Sequence, residues 1–223
     1  MTLFHKLSNV LPIHFLDTQY RMHPLINAFP SNNFYNGKLM NGINESERSF
    51  SLFKFPKDDF PICFIDLSDD YEYHVGTSIC NNKQAEIVIL VINKLLSNGV
   101  QPFDIVILTP YSAQLGLIKS LLNNNHVEVS SIDAFQGREK DIVIFCTVRA
   151  NDCNSLGFIS DTNRMNVLLT RARRGIIGIG HSKTMKLSTF WNKWLQEIPF
   201  LDIKELITDK EKRIKFNVRQ KSW

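Results

Sequence analysis

The chain has 223 residues, of which 43% are apolar and 22% are charged, and a chain of this size can bury one large core or two small ones. We therefore expect a single compact domain. No apolar run approaches the ~18 to 20 residues of a membrane span, which excludes a membrane protein. The net charge of +4 permits a polyanionic partner without requiring one.

The amino terminus argues against secretion, because its apolar stretch is broken by Pro12 and His14 and no small-residue cleavage site follows. The four cysteines are scattered, without a C-x-x-C pair that would indicate a zinc or redox site. We expect reduced thiols in a cytoplasmic or nuclear protein, and no metal site built by this chain.

Turn-forming residues dominate positions 38–59 and predict a surface excursion. An apolar run at 62–66 then predicts a strand, and apolar residues at helical spacing predict a helix over 81–96, where Asn98-Gly99 supplies a stop. From about residue 103 onward, short apolar runs alternate with helical patterns. They predict strands at 105–109, 127–132, 142–148 and 176–180, and helices at 111–122 and 163–173.

These strands are apolar throughout, as in Ile142-Val143-Ile144-Phe145-Cys146, which is typical of strands covered on both faces. The sequence therefore predicts an α/β fold in which a parallel sheet carries helices on both sides. We assign residues 1–200 to this domain and residues 201–223 to a solvated basic tail, since Lys and Arg are frequent from Lys210 to Lys221.

A phosphate-binding loop of the form G-x-x-x-x-G-K-[ST] would hold ATP through backbone amides and a lysine. None of the ten glycines satisfies this spacing; Gly37-Lys38 comes nearest, but Leu39 follows the lysine and Asn32 stands at the first glycine's position. Asp66 ends a predicted strand and could face magnesium, but without a phosphate loop we interpret it as a structural strand-end residue. Any ATP chemistry must therefore be shared with another domain.

Arginines recur in the predicted helix from Asn163, where Arg164, Leu168 and Arg171 are spaced i, i+4 and i+7. This spacing places both arginines near one face of the helix. An arginine supplied to a transferring phosphoryl group accelerates hydrolysis by ~10³ to 10⁵. The alternative, an exposed basic helix, stays open from this segment alone.

Polar residues are dense from Ser130 to Asp141, between two predicted strands, and Gly137 suits a sharp turn. We expect these groups at the carboxyl end of a strand, the edge where open α/β sheets bind ligands.

Two further residue types invite functional interpretations that we consider weaker. His23 precedes a proline and has no second ligand at helical spacing, so a structural hydrogen bond is favoured over catalysis or metal binding. Trp191 and Trp194 are spaced i, i+3 in a predicted closing helix, which favours packing over base stacking.

Three segments, residues 16–24, 130–141 and 170–173, resemble motifs IV, V and VI of superfamily one helicases. Within them, the group containing the regulator of nonsense transcripts and senataxin is the most similar, and the regulator is favoured. The resemblance runs in order from about residue 12 to about 196 and includes shorter phrases: Phe29-Pro30-Ser31, Phe34-Tyr35, Gly76-Thr77-Ser78, Leu108-Thr109-Pro110-Tyr111, Val148-Arg149-Ala150-Asn151 and Gly157-Phe158.

This resemblance implies a second RecA-like domain, working with a first domain that carries the phosphate loop and holds Mg²⁺. ATP would lie between the two domains. By the family pattern, Arg21 and Arg171 would reach the γ-phosphate, and Gln136 and Gly137 would couple nucleotide to nucleic acid. Tyr20, with Gln19 beside it, would contact the base, and Glu139 the ribose. Single-stranded RNA or DNA would be held by Thr109, Pro110, Tyr111, Ser131 and Asp133.

The leading hypothesis is thus the carboxyl-terminal motor domain of an ATP-dependent RNA or DNA helicase of the nonsense-mediated decay type. Its partners would be a single strand, the first RecA-like domain and decay or surveillance factors. By itself the chain should not hydrolyse ATP. The alternative is a non-catalytic nucleic-acid-binding or partner-docking module, left after loss of the first motor domain.

Overall fold

Five parallel strands form the centre of the protein, whose computed structural model describes residue 7 and residues 10–12, 14–122 and 126–206. In sheet order the strands run β1, β5, β4, β2, β3. Their bounds are β1 Ile62–Asp66, β2 Ile105–Thr109, β3 Glu128–Ser131, β4 Lys140–Cys146 and β5 Ala172–Gly180. Every neighbouring pair is parallel, so all five strands present their amino ends at one edge of the sheet.

Side chains alternate between the two faces along each strand. Both faces of this sheet are therefore apolar, and helices cover both. The helices are α1 Pro24–Phe34, α2 Asn82–Ser97, α3 Ser112–Leu121, α4 Thr162–Leu169, α5 Ser182–Met185 and α6 Thr189–Glu197. Ile105 and Ile107 face one core with α2 and α3. Val106 and Leu108 face the other, with α1, α4 and α6. The predicted α/β class, a parallel sheet with helices on both faces, is confirmed.

Two boundaries differ from the sequence prediction by four residues, whereas the others agree within two. Helix α4 ends at Leu169 and not at residue 173, and β5 begins at Ala172, four residues before the predicted start. The reason is long-range pairing: Lys140 N donates to Arg171 O at 3.1 Å, and Ala172 lies beside Lys140 in the sheet. Helix α1 was not predicted; Pro24 occupies a favourable first-turn position in it and Pro30 an unfavourable internal one.

The predicted surface excursion is attached to the domain at several points. Met40–Asn41 pairs in parallel with Thr18–Gln19, a short 3₁₀ helix spans Glu45–Arg48, and Phe53 and Phe55 are buried in the α2 side of the core. A second small element, the hairpin of Tyr73–Val75 and Ser78–Cys80, precedes α2.

Near the carboxyl end, Leu201 and Leu206 are buried in the same core as Phe53, so residues 201–206 pack with the domain. Residues 207–223, the rest of the predicted basic tail, lie outside the described residues. Trp191 and Trp194 are buried against Phe145, which confirms the packing interpretation. In the described part of the chain, no helix is both long and apolar enough to cross a membrane.

Candidate functional site

The motif residues Glu139 and Arg171 lie at the amino-terminal edge of the sheet. Glu139 immediately precedes β4, Arg171 immediately precedes β5, and these two strands are neighbours. The expectation that the polar segment 130–141 would gather at the carboxyl edge is therefore wrong for its second half. The segment leaves β3 at the carboxyl edge and must return the length of the sheet to enter the parallel strand β4, so Ser131 and Glu139 belong to opposite edges.

Arg171 also does not share a helix with Arg164. It lies after the end of α4, where Thr170 is the carboxyl-terminal cap. Its guanidinium donates from Nε to Val167 O at 2.9 Å, from Nη2 to Thr170 Oγ1 at 2.7 Å and from Nη1 to Arg138 O at 3.4 Å. These backbone and hydroxyl acceptors hold the side chain at the turn between helix and strand.

Arg171 forms no ion pair with any carboxylate among the described residues, unlike Arg21, Arg173 and Arg174. Burial, and then the positive charge of Arg21, lower the pKa of Arg171 to about 10. The group is therefore still cationic at neutral pH. A half-buried cation next to a second cation is a favourable place for an anion.

Arg21 reaches this place from the amino-terminal segment. Its Nε donates to Glu139 Oε2 at 2.5 Å and its Nη1 to Thr170 O at 3.0 Å. Thr170 thus contacts both arginines, through its carbonyl to Arg21 and its hydroxyl to Arg171. The structure brings together Arg21, Glu139 and Arg171, which are 118 and 32 residues apart along the chain.

Gln19 supports Arg21 and has no spare hydrogen-bonding capacity. Its Oε1 accepts from Arg21 N at 2.9 Å and Met22 N at 2.7 Å, and its Nε2 donates to Met22 O at 2.9 Å and Asn41 Oδ1 at 2.8 Å. An amide side chain offers two donors and two acceptor positions. All four are used within the protein, so Gln19 fixes the turn that carries Arg21.

Tyr20 exposes 65% of its surface beside this turn. Its ring lies directly on Gly42, where an added Cβ would stand 2.2 Å from Tyr20 Cε1. Only glycine at position 42 allows the ring this close approach. The tyrosine is therefore held as an exposed flat surface next to the arginine pair.

Gln136 and Gly137 are both exposed in the return segment. Gly137 has a φ of +84°, and an added Cβ would meet nothing within 4 Å. The glycine is thus required by backbone conformation and not by crowding. Next to it, Arg138 makes a two-pronged ion pair with Glu128 at 2.5 and 2.8 Å.

The other five predicted residues lie at the carboxyl edge, where two of them are buried. Thr109 is fully buried and Tyr111 is 6% exposed. The Tyr111 hydroxyl accepts from Phe158 N at 3.3 Å. Pro110 between them is half-buried. The side chains of Thr109 and Tyr111 would therefore have to leave the core to contact a nucleic-acid strand on the surface.

Ser131 is the last residue of β3 and Asp133 follows the strand, and both make local contacts. Ser131 Oγ accepts from Ala134 N at 3.2 Å, and the exposed Asp133 carboxylate receives Arg164 at 3.0 to 3.2 Å. This contact raises the pKa of Arg164. The Arg164 guanidinium also lies 4.9 Å from the centre of the exposed Phe158 ring.

His23 has the structural role that the sequence favoured. It is buried and caps α1, where its Nδ1 accepts from Leu25 N at 3.2 Å. Burial lowers the pKa of this imidazole, against smaller opposing effects of Glu45 and Asp59. The neutral ring is the form that can accept the capping hydrogen bond.

Magnesium ligands were assigned to another domain, and the residues present here do not fit that ion. The Asp66 carboxylate accepts from Ser182 N at 2.8 Å and Ser182 Oγ at 2.7 Å, which is the structural strand-end role expected of it. Across the described residues, no cluster of three or more His, Cys, Asp or Glu side chains could bind a metal ion.

Two contributors to the site were not predicted from the sequence. One is Thr170 as a contact of both Arg21 and Arg171, and the other is Arg48. Arg48 belongs to the excursion, yet its guanidinium donates to Tyr20 O and Arg21 O, both at 2.9 Å. An arginine in a turn-rich stretch carries no local signal of such a role, because its acceptors are backbone carbonyls 27 and 28 residues away.

Several known proteins are similar to this chain. A family model described as an AAA domain matches residues 1–183. Regulator of nonsense transcripts 1 of Caenorhabditis elegans is 38% identical over 190 residues, which is 80% of this chain and 18% of that protein. The ATP-dependent helicase NAM7 of Saccharomyces cerevisiae is 38% identical over 208 residues, 87% of this chain and 21% of that protein.

A solved structure, the C-terminal domain of a possible DNA helicase from Lactobacillus plantarum, aligns with 83% of this chain and 99% of its own at 14% identity and a TM-score of 0.46. The chain spans about a fifth of the length of the curated relatives it matches. On the family match, this chain belongs to the AAA domain family and is a relative of regulator of nonsense transcripts 1.

Proposed function

We propose that this chain is the second motor domain of an ATP-dependent RNA or DNA helicase, and that Arg21 and Arg171 contact the γ-phosphate of an ATP held against a separate phosphate-loop domain. The observation that carries the proposal is the arginine pair at the amino-terminal edge. Two guanidinium groups are held there around Thr170, and of the two, Arg21 alone is paired with a carboxylate of residues 14–122 or 126–206.

The chemistry asked of the pair is electrostatic. When water attacks the γ-phosphorus and the bond to the β-phosphate oxygen breaks, negative charge builds on the transferring group and on the leaving ADP. Guanidinium donors fixed beside those oxygens stabilise this charge without reorganising during the step. Arg171 suits this role because its acceptors are neutral, so an incoming phosphate does not have to displace a carboxylate from it.

Glu139 would exchange its contact with Arg21 for a ribose hydroxyl when nucleotide binds. Tyr20 supplies the exposed ring for the base, and Gln19 acts indirectly by holding the turn. Gln136 and Gly137 lie on the segment that joins the two edges, which is where coupling between nucleotide and strand would pass. Mg²⁺ would be bound by the other domain.

At the carboxyl edge, the proposed single-strand surface needs a revised set of side chains. Asp133 is paired with Arg164, and Thr109 and Tyr111 are buried. Arg164 can offer its remaining donors to phosphates, and Phe158 its exposed ring to bases. Ser131 and the Pro110 backbone can add contacts beside them. RNA surveillance factors as partners, and a cytoplasmic or nuclear location, belong to the same proposal.

The test compares the isolated chain with an assembly that has both domains. The isolated 223 residues should show no ATP hydrolysis above background, whereas turnover at a helicase-like rate would disprove a shared site. The assembly is made by replacing the 208 aligned residues of the S. cerevisiae relative with this chain. It should hydrolyse ATP, with stimulation by single-stranded nucleic acid.

In that assembly, Arg171→Ala should lower kcat by about 10³, as expected for loss of a finger arginine. Lys57→Ala is the matched control, because it removes one exposed positive charge from the stretch that precedes β1 at the same edge, and it should stay within about threefold of the parent, as an exposed surface charge contributes little. Equal kcat in the Arg171 variant and the parent would show that Arg171 does not stabilise the transferring phosphoryl group. An inactive parent assembly, with the isolated chain binding single strands, would instead support a non-catalytic nucleic-acid-binding module.

A further inference from the structure

The excursion, residues 38–59, is fixed to the domain on both sides of Arg48. Before Arg48, Met40 N donates to Asp17 O at 2.6 Å and Gly42 N to Gln19 O at 2.8 Å. After it, Ser49 O accepts from Arg174 Nη1 at 2.7 Å, and Phe53 is buried in the core. Arg48 therefore projects from a segment with a defined position.

The turn that carries Arg48 is closed by its own contacts. Asn44 N donates to the Glu47 carboxylate at 2.7 Å, and Ser49 Oγ donates to Ser46 O at 3.2 Å. Arg48 itself is half-buried. It forms no ion pair with any of the described carboxylates, so its charge is directed at carbonyl oxygens alone.

The Arg48 guanidinium contacts two consecutive carbonyls of the motif segment. Nη2 donates to Tyr20 O and Nε to Arg21 O, each at 2.9 Å, and Nη1 donates to Glu47 O at 3.1 Å. The planar fork of an arginine can span two acceptors at once, whereas the single ammonium of a lysine is a point charge.

Gln19 holds the same turn from its amide side. It accepts from the N–H of Arg21, while Arg48 donates to the C=O of Arg21. Both polar groups of the Arg21 main chain are therefore fixed. The Arg21 side chain can still change partners. It donates to Glu139 and to the Thr170 carbonyl, and it can donate to an incoming anion instead.

We infer that Arg48 is a positioning residue, which fixes the backbone of Tyr20 and Arg21 so that the Arg21 guanidinium stands at the nucleotide site. The inference rests on the proposed function for its consequence in catalysis, but the positioning itself is a property of this chain. Displacement of a catalytic group by about 1 Å can cost about 10²-fold in rate. Loss of Arg48 should therefore appear in kcat more than in the KM for ATP.

Positioning can be tested first on the isolated chain, without any enzymatic activity. In a ¹⁵N NMR spectrum of the arginine side chains, the Arg21 Nε–H signal is assigned by its loss in Arg21→Lys. Its contact with Glu139 should protect it from solvent exchange. Arg48→Ala should raise the exchange rate of this signal at least tenfold or broaden it beyond detection, while Arg164→Ala, a guanidinium removed from the opposite edge, should leave it unchanged.

Arg48→Lys gives a second measurement if the alanine variant does not fold, as judged by circular dichroism. Lysine keeps the charge but cannot span both carbonyls, so protection of the Arg21 signal should fall in between. Wild-type protection in a folded Arg48→Ala or Arg48→Lys protein would overturn the inference.

The consequence for catalysis is tested in the two-domain assembly by a double-mutant cycle. Arg48→Ala should lower kcat by about 10- to 100-fold with KM for ATP changed less than threefold, and Arg48→Lys should recover part of the loss. In the Arg21→Ala background, Arg48→Ala should have almost no further effect on kcat. Independent, additive losses would overturn the inference.

The two proposals fail in different ways. If Arg21→Ala leaves kcat unchanged, the proposed function of Arg21 is wrong, whatever Arg48 does. The NMR measurement still decides whether Arg48 positions Arg21, because it follows a hydrogen bond within the chain and not a reaction.

Discussion

At the amino-terminal edge of the sheet the arginines are partly exposed and outnumber the carboxylates that they pair with. At the carboxyl-terminal edge, by contrast, Arg149 is buried in an ion pair with a single carboxylate. Arg21 pairs with Glu139, and Arg173 and Arg174 share Asp141, so that Arg171 has no carboxylate partner in the part of the chain that the structure describes. Arg149 Nε lies 3.1 Å from Glu72 Oε2, and both side chains are less than a tenth exposed.

The carboxyl edge is organised around this buried pair. Glu72 also accepts from Ala150 N at 2.8 Å and Asn151 Nδ2 at 2.9 Å. Beside it, Val148 has a φ of +67°, a strained conformation for a β-branched residue. Side-chain amides hold it there, with Gln84 Oε1 accepting from Val148 N and Asn81 Nδ2 donating to Val148 O.

The difference shows that an arginine's burial and partners decide its role more than its place in a motif. Arg149 belongs to a phrase that resembles the helicase group, but its guanidinium is committed to the fold. Within the described residues Arg171 is held by neutral acceptors alone, so its charge is available to an external anion. Loss of charge should therefore affect stability at the carboxyl edge and ATP turnover at the amino edge.

The largest effect on stability is expected from Arg149→Ala. It leaves Glu72 buried without a cation, and breaking a buried pair from one side costs about 3 to 5 kcal/mol. Urea unfolding of the isolated chain measures this cost. Arg149→Met with Glu72→Leu should lose less than the single change; equal losses would mean that the carboxylate left behind is not the cause.

Gly42→Ala should displace the Tyr20 ring, because the new Cβ would overlap it. If Tyr20 stacks on the base of ATP, and such stacking contributes about 1 kcal/mol or more, the KM for ATP in the two-domain assembly should rise at least about fivefold with kcat little changed. Tyr20→Ala should give a similar rise, and the double variant no more than either alone. An unchanged KM in both would exclude the stacking role.

His23 should make the protein sensitive to mild acid. Its pKa is lowered in the folded state, so the unfolded chain takes up the proton first, and stability falls as the pH drops through about 6.5 and below. Replacement by Asn keeps a capping acceptor and should flatten this dependence, whereas Ala should cost about 1 kcal/mol at neutral pH. Thermal unfolding between pH 5 and 8 distinguishes these outcomes.

Arg173→Ala should have the smallest effect, less than about 1 kcal/mol, because its pair with Asp141 is partly exposed and screened by solvent. Urea unfolding of the isolated chain compares its loss of unfolding free energy with that of Arg149→Ala. A cost as large as that of Arg149 would show that the amino edge is as firmly organised as the carboxyl edge.

Several features could be predicted from the sequence because their causes are local. Continuous apolar runs placed all five strands, with β1 and β2 correct to the residue, since burial on both faces requires such runs. Glycine spacing showed that these 223 residues carry no phosphate loop. The resemblance to helicase motifs, and no local pattern, related Arg21, Glu139 and Arg171 to one another.

Other features depended on the tertiary structure. The helical pattern around Arg171 was overridden by the pairing of Ala172 with Lys140, and the direction in which the chain returns from β3 to β4 decided which edge Glu139 occupies. Packing buried Thr109 and Tyr111, which the resemblance had implied as contacts to a single strand of nucleic acid. Arg48 became part of the site only when the excursion folded back on the motif turn. The sequence by itself determined the chemical groups, because these are covalent, while the fold decided their partners, because hydrogen bonds between distant segments leave no local pattern.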